Sequence, residues 1–218
     1  LCAGPGAAER VLAHLKKYTF AEQTGLSDAT ASTAQLAMLG GAVPGLPDPG
    51  PWGVVATTFA GIEVVVLGQD GFTSQGRSIV CAAADRPALD VLGPTIDPEA
   101  LEAWRVRLGY PAPGRELTED WNPLEAGLRD HVSFTKGCYV GQEVVARLNT
   151  YDKVSRRLVT FELDPGASVP SAGTDVLHQG TRVGTVTSAA RCPESGRPVV
   201  MGYVKWRDLP EGAVLAVP

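Results

Sequence analysis

Phe134-Thr135-Lys136-Gly137-Cys138-Tyr139-Val140-Gly141-Gln142-Glu143-Val144-Val145-Ala146-Arg147 sets two glycines and a thiol among three charged side chains. Gly137 and Gly141 allow sharp turns or close approach of a ligand to the backbone. After Gly141 the residues run as a short helix with Glu143 in its first turn. That places Cys138 just ahead of a helix N-terminus, where the positive end of the helix dipole favours a thiolate. Lys136 adds to this effect, and Glu143 opposes it where it is close. The same pattern also fits a small, buried, apolar cysteine near a turn, glycines that only shape the chain, and a solvated face at Lys136, Gln142 and Glu143. His131, seven residues upstream of Cys138, is either its base or an ordinary histidine.

Outward on the N-terminal side, Asp97 suits a helix cap and Pro98 the first turn, where no backbone N–H is needed. Leu101, Trp104 and Leu108 then recur at helical spacing, and Gly109 ends the run. Further upstream, Val54–Ala60 and Ile62–Leu67 are β-branched, apolar and meet at Gly61, which predicts a hairpin. Ser78–Ala82 and, more weakly, Thr30–Leu39 read as strands. Ala7–Lys17 reads as a helix with Val11, Leu12 and Leu15 on one face. Gly40–Pro51 is rich in Gly and Pro and reads as a loop.

On the C-terminal side the texture changes near Val154. Leu158–Leu163, Thr174–His178, Thr181–Ala189, Val199–Trp206 and Ala213–Val217 read as strands separated by turns, a pattern that suits a small β-barrel. The expected domains are therefore 1–150 and 151–218, divided near Asn149–Lys153. The fold class is α+β, mixed helices and antiparallel sheet followed by a small barrel.

The bulk properties narrow the function. The 218 residues carry a net charge of −5. Residues 151–218 hold eight basic and seven acidic side chains, and residues 1–150 hold eleven and seventeen. No basic stripe marks a nucleic-acid surface, and no apolar run reaches the ~18–20 residues of a membrane span. Cys2, Cys81, Cys138 and Cys192 are widely spaced, without a C-x-x-C pair or Cys/His cluster, so no intrinsic metal site is expected. Reduced thiols and a cytoplasmic setting are the better expectation than disulfides. There is no Walker loop and no G-x-G-x-x-G fingerprint.

Lys136, Gly137, Cys138, Tyr139, Gly141, Gln142 and Glu143 together match the pattern K-G-C-Y-x-G-Q-E, which resembles the signature of the YgfZ branch of the folate-binding T-protein superfamily. Asn122-Pro123-Leu124-Glu125-Ala126-Gly127-Leu128 resembles the P-x-E-A-x-L segment shared with the glycine-cleavage T-protein. Arg105-Val106-Arg107-Leu108-Gly109 sits where the superfamily carries R-[IL]-x-x-G, and Gly202-Tyr203-Val204 is similar to part of its barrel. The resemblance covers nearly the whole chain. It implies a tetrahydrofolate-binding domain, with Arg105 pairing a folate carboxylate through its guanidinium fork and Phe72 as a further folate-binding residue. Read from the residues alone, Arg105 is a surface arginine on an amphipathic helix. Gly71-Phe72-Thr73-Ser74-Gln75-Gly76-Arg77-Ser78 departs from the T-protein pattern: its acidic groups are gone, and Ser78 stands about where the last Glu falls. The family also begins with a segment that precedes Leu1, so the chain is expected to show part of the site.

Three functions are consistent with this reading. The first is a tetrahydrofolate-binding accessory factor for iron–sulfur cluster assembly or repair, with Cys138 as the working thiol and iron–sulfur client enzymes or cluster carriers as partners. Effects on tRNA modification would then pass through an iron–sulfur enzyme, without direct nucleic-acid binding. The second is a folate-dependent aminomethyltransferase. The third is a non-catalytic folate-binding module in which Cys138 is structural.

Overall fold

The β-branched runs on either side of Ala60-Gly61 form the expected hairpin, β2 (Val54–Phe59) and β3 (Ile62–Gly68). Ala60 and Gly61 both have positive φ, 50° and 79°, the geometry that matches a two-residue turn to strand twist. The computed structural model describes residues 1–4, 6–39, 42–68, 76–151 and 154–218. By compactness these divide into two units, Leu1–Thr95 and Ile96–Pro218.

The first unit opens with α1 (Ala8–Tyr18) and holds β1 (Thr33–Met38) and β4 (Arg77–Ala82) beside the hairpin. The antiparallel order is β1-β4-β3-β2. Its core is Val64, Val66, Ile79, Cys81 and Leu89, closed by Leu46 from the preceding loop. A 3₁₀ segment, Ala83–Leu92, supplies Leu89.

The second unit begins with α2 (Pro98–Arg107). Asp97 accepts hydrogen bonds from the N–H groups of Glu99 and Ala100 at 2.9 and 3.2 Å, satisfying donors the first turn leaves open. The helical spacing identified α2 but not its buried face. Leu101 and Leu108 are 37 % and 49 % exposed, while Ala103, Arg105 and Val106 are buried. Later come α3 (Gln142–Thr150), β5 (Arg157–Glu162), β6 (Asp175–His178), β7 (Thr181–Arg191) and β8 (Pro198–Val204). The antiparallel order is β5-β8-β7-β6.

Every residue of β8 is buried, as a strand covered on both faces requires. Val200 and Val204 join Val176, Val183 and Val186 on one face. Val199 and Met201 meet Val106 of α2 and Cys192 on the other. Because α2 packs on this sheet, the division by compactness falls at Thr95–Ile96, whereas the division by sequence texture was placed at 149–153. The strand expected at Ala213–Val217 is a single bridge, Leu177 to Ala216. The register shift between Val176 and Leu177 and the positive φ of Gly212 limit pairing there.

Candidate functional site

Lys136-Gly137-Cys138-Tyr139-Val140-Gly141-Gln142-Glu143 forms a surface loop running into α3. Gly141 is the N-cap of α3 with φ 85° and ψ 0°, a left-handed conformation that costs other L-residues about 1–2 kcal/mol. Tyr139 and Gln142 brace each other across it. The Tyr139 N–H donates to Gln142 Oε1 at 3.3 Å, and the Gln142 N–H donates to the Tyr139 carbonyl at 3.2 Å. Lys136 Nζ lies 4.7 Å from the centroid of the Tyr139 ring, a cation–π distance. Its own N–H donates to Ser133 Oγ at 3.2 Å.

Cys138, between these braces, is exposed. The buried-cysteine alternative therefore does not describe its position. Glu143 and His131 are also exposed, and Val140 and Val144 are 94 % and 60 % exposed. No residue of α3 is buried. Arg129 ties the ends of the segment together, with Nε donating to Asn149 Oδ1 at 3.1 Å and its guanidinium 5.5 Å from the Phe134 ring centroid. Of the other thiols, Cys2 is exposed and Cys81 and Cys192 are buried, none in a disulfide. Burial pushes the Cys81 thiol up. The Ser195 hydroxyl and backbone N–H, with Arg107 beyond them, hold Cys192 below its ordinary value.

Arg105 has a different setting. It is 7 % exposed, so the surface-arginine reading is corrected: α2 turns this side chain toward the sheet. Nε and Nη2 pair with the two carboxylate oxygens of Glu102 at 2.9 and 2.8 Å. Nη1 donates to the Tyr110 carbonyl and to Glu116 Oε2 at 2.9 Å. Nη2 also donates to Ser188 Oγ at 2.7 Å. All five N–H donors of the guanidinium are thus engaged within the protein. A ligand carboxylate reaches Arg105 only by displacing one of these partners.

Glu116, fully buried, is the residue that sequence reasoning missed. It accepts from the Ala112 N–H at 3.0 Å and from the Ser188 hydroxyl at 2.6 Å, besides Arg105. Burial by itself raises its carboxyl pKa. The bonds from Ser188, Ala112 and Thr187 and the Arg105 charge outweigh that and hold it below the usual carboxylate range. Its backbone carbonyl accepts from the Tyr203 hydroxyl at 2.9 Å. Nothing in Gly114-Arg115-Glu116-Leu117 marks a buried acid, because its side-chain partners come from residues 105 and 188.

Phe72 lies outside the described residues. Ser78, fully buried, accepts from Gln35 Nε2 at 3.0 Å. Among the described residues no group of three or more His, Cys, Asp or Glu is placed to hold a metal ion, and no helix is long and apolar enough to cross a membrane.

The comparisons with known proteins agree with this architecture. Residues 156–218 match the glycine cleavage T-protein C-terminal barrel domain. A chloroplastic transferase of Arabidopsis thaliana is 42 % identical over 107 residues, covering 49 % of this chain and 24 % of its own length. An aminomethyltransferase of Rubrobacter xylanophilus is 29 % identical over 211 residues, covering 90 % of this chain and 56 % of its own. The crystal structure of glycine cleavage system aminomethyltransferase T from Bartonella henselae superposes with a TM-score of 0.72 at 22 % identity, covering 97 % of this chain and 62 % of that one. The chain thus spans only about a quarter to just over half the length of these curated relatives. Its fold is similar to that of glycine cleavage system aminomethyltransferase T, and residues 156–218 match the glycine cleavage T-protein C-terminal barrel domain.

Proposed function

We propose that the chain is part of a tetrahydrofolate-binding factor that serves iron–sulfur cluster assembly or repair, with Cys138 as its working group. The observation that carries this reading is the exposure of Cys138 on a loop whose neighbours hold one another. Gly141 supplies the turn, Gln142 braces Tyr139, and Lys136 caps the Tyr139 ring. These contacts leave the sulfur open to a partner. A single thiolate does not retain a cluster, because stable clusters take several thiolate or imidazole ligands. Cys138 therefore supplies one ligand to a cluster shared with client or carrier thiolates, its proton passing to solvent as the iron–sulfur bond forms.

Tetrahydrofolate is the ligand carried by the superfamily fold and by the YgfZ resemblance. Arg105, the carboxylate partner that the resemblance implies, is saturated by Glu102, Tyr110, Glu116 and Ser188. No chemical step is therefore routed through folate.

The test is replacement of the full-length protein by Cys138→Ser in cells, with an iron–sulfur client enzyme assayed. Loss of client activity, with the fold intact by circular dichroism, is expected. Unchanged client activity sinks the assignment and leaves a plain folate-binding module. The relatives named aminomethyltransferase favour a second reading, aminomethyl transfer. Glycine-cleavage turnover with a lipoylated carrier protein, insensitive to Cys138→Ser, is the result that would replace the first reading by the second.

A further inference from the structure

A cavity of about 300 Å³ opens on the second unit, away from any residue assigned a role above except the anchor Tyr203. Its walls carry Arg156, Arg182 and Lys205, and no carboxylate lines it. In a chain of net charge −5, three cations line this one cavity, and of the three only Arg182 has a carboxylate partner, Asp175. Like charges around one concave surface repel one another, and a bound anion relieves that repulsion.

The floor is rigid. Tyr203, 1 % exposed, is held by the bond from its hydroxyl to the Glu116 carbonyl at 2.9 Å. Trp121 stacks on it with ring centroids 3.8 Å apart and planes 12° from parallel. The Arg156 guanidinium lies 5.4 Å from the Trp121 ring centroid, so the aromatic floor positions this cation without neutralising it. Arg182 is held by Asp175 and by the lining residue Thr185. Its Nε pairs with Asp175 at 2.8 Å and its Nη2 donates to Thr185 Oγ1 at 3.0 Å. Lys205 is fixed through its backbone N–H, which donates to the Val183 carbonyl at 2.8 Å. Among the described residues, neither Arg156 nor Lys205 has a carboxylate partner.

From this geometry we infer a binding site for a small polyanion, a molecule bearing phosphate or carboxylate groups with two or more negative charges. Two guanidinium groups present the planar donors that suit oxyanions, and Lys205 adds a mobile point charge. The volume is at the lower end for small-molecule sites and suits a compact oxyanion better than an extended ring system. The site makes no use of Cys138, so it stands apart from the function proposed above.

Titration calorimetry of the 218-residue chain with pyrophosphate, and separately with citrate, tests the inference. Sodium chloride at matched ionic strength is the baseline. Saturable one-site binding of at least one probe is expected, and the tighter probe identifies phosphate or carboxylate as the recognised group. Arg156→Ala with Lys205→Ala should weaken binding at least tenfold, and Lys205→Glu alone should do so by a similar factor. Lys16→Ala, on α1, should leave it unchanged. All these side chains are exposed, so the variants retain the fold, which circular dichroism checks. Absence of saturable heat with both probes overturns the site. So does binding that both Lys205→Glu and the double variant leave intact.

Discussion

Arg105 and Cys138 sit in opposite physical regimes, although both stand in stretches that resemble motifs of one superfamily. Arg105 is buried with all five donors engaged, and its neighbour Glu116 has no exposed surface. Cys138 is exposed, and the helix that follows it has no fully buried residue. The first region holds an element in place through charges removed from water. The second keeps a reactive atom in water on a short, locally braced loop. The contrast teaches that matching a motif locates a residue without saying whether it faces the protein or a partner.

The sharpest way to break the contrast is Arg105→Ala. It leaves Glu116 buried without its countercharge, which costs about 3–5 kcal/mol in comparable buried pairs. Urea unfolding of the second unit should show that loss. If the midpoint stays within experimental error, the network is ornamental and the distinction fails. Acid should act on the same side of the comparison. Glu116 is held below its ordinary value, so its contribution is complete above the unfolded carboxyl value of about 4.3. That contribution drains away as pH falls through the lower folded value. The unfolding free energy of the second unit should therefore decline below about pH 4.5, and Glu116→Gln should flatten the decline while lowering stability at neutral pH.

Smaller effects sharpen the other side. Gly141→Ala places a Cβ at φ 85° and should cost about 1–2 kcal/mol. The loss should appear in hydrogen exchange as fraying of Gln142–Thr150 rather than as global unfolding. Cys138→Ser should shift the unfolding midpoint least, by less than about 0.5 kcal/mol, the range of surface substitutions. In native alkylation the chain should lose two thiols promptly, Cys2 and Cys138, and the variant only one. Rapid modification of three or four would show that Cys81 or Cys192 is less well buried than the structure places it.

What the sequence made legible was local. Asp97-Pro98 announced α2, Ala60-Gly61 the hairpin, and Gly141 the start of α3, because capping and turn chemistry act within a few residues. What it hid was convergent. Leu101 and Leu108 promised an apolar contact face, yet α2 meets its sheet through Val106 and a polar network. The choice of face depends on Ser188 and Glu116, distant in sequence from the helix and invisible to its period. The same holds for the cationic cavity, assembled from residues 121, 156, 182 and 205. Ala213–Val217 carried strand-forming residues but found only one bridging position, since pairing needs a continuous partner edge as well as propensity. Of the candidate site, the loop and its helix were readable from adjacent residues. The engagement of Arg105 was not, because three of its four partners lie beyond its own helix.

The bond from Tyr203 to Glu116 spans 87 residues, and that from Arg105 to Ser188 spans 83. During synthesis at about 5–20 residues per second, α2 leaves the ribosome several seconds before the strand that completes its setting. Until then the two charges are hydrated and α2 has no sheet to rest on. Consolidation of this half of the molecule is therefore a late and non-local event, slow in the way long loop closures are. A nascent chain interrupted before β8 leaves Val106 of α2 without the strand it packs against, and uncovered apolar surface of this kind makes incomplete chains prone to aggregate.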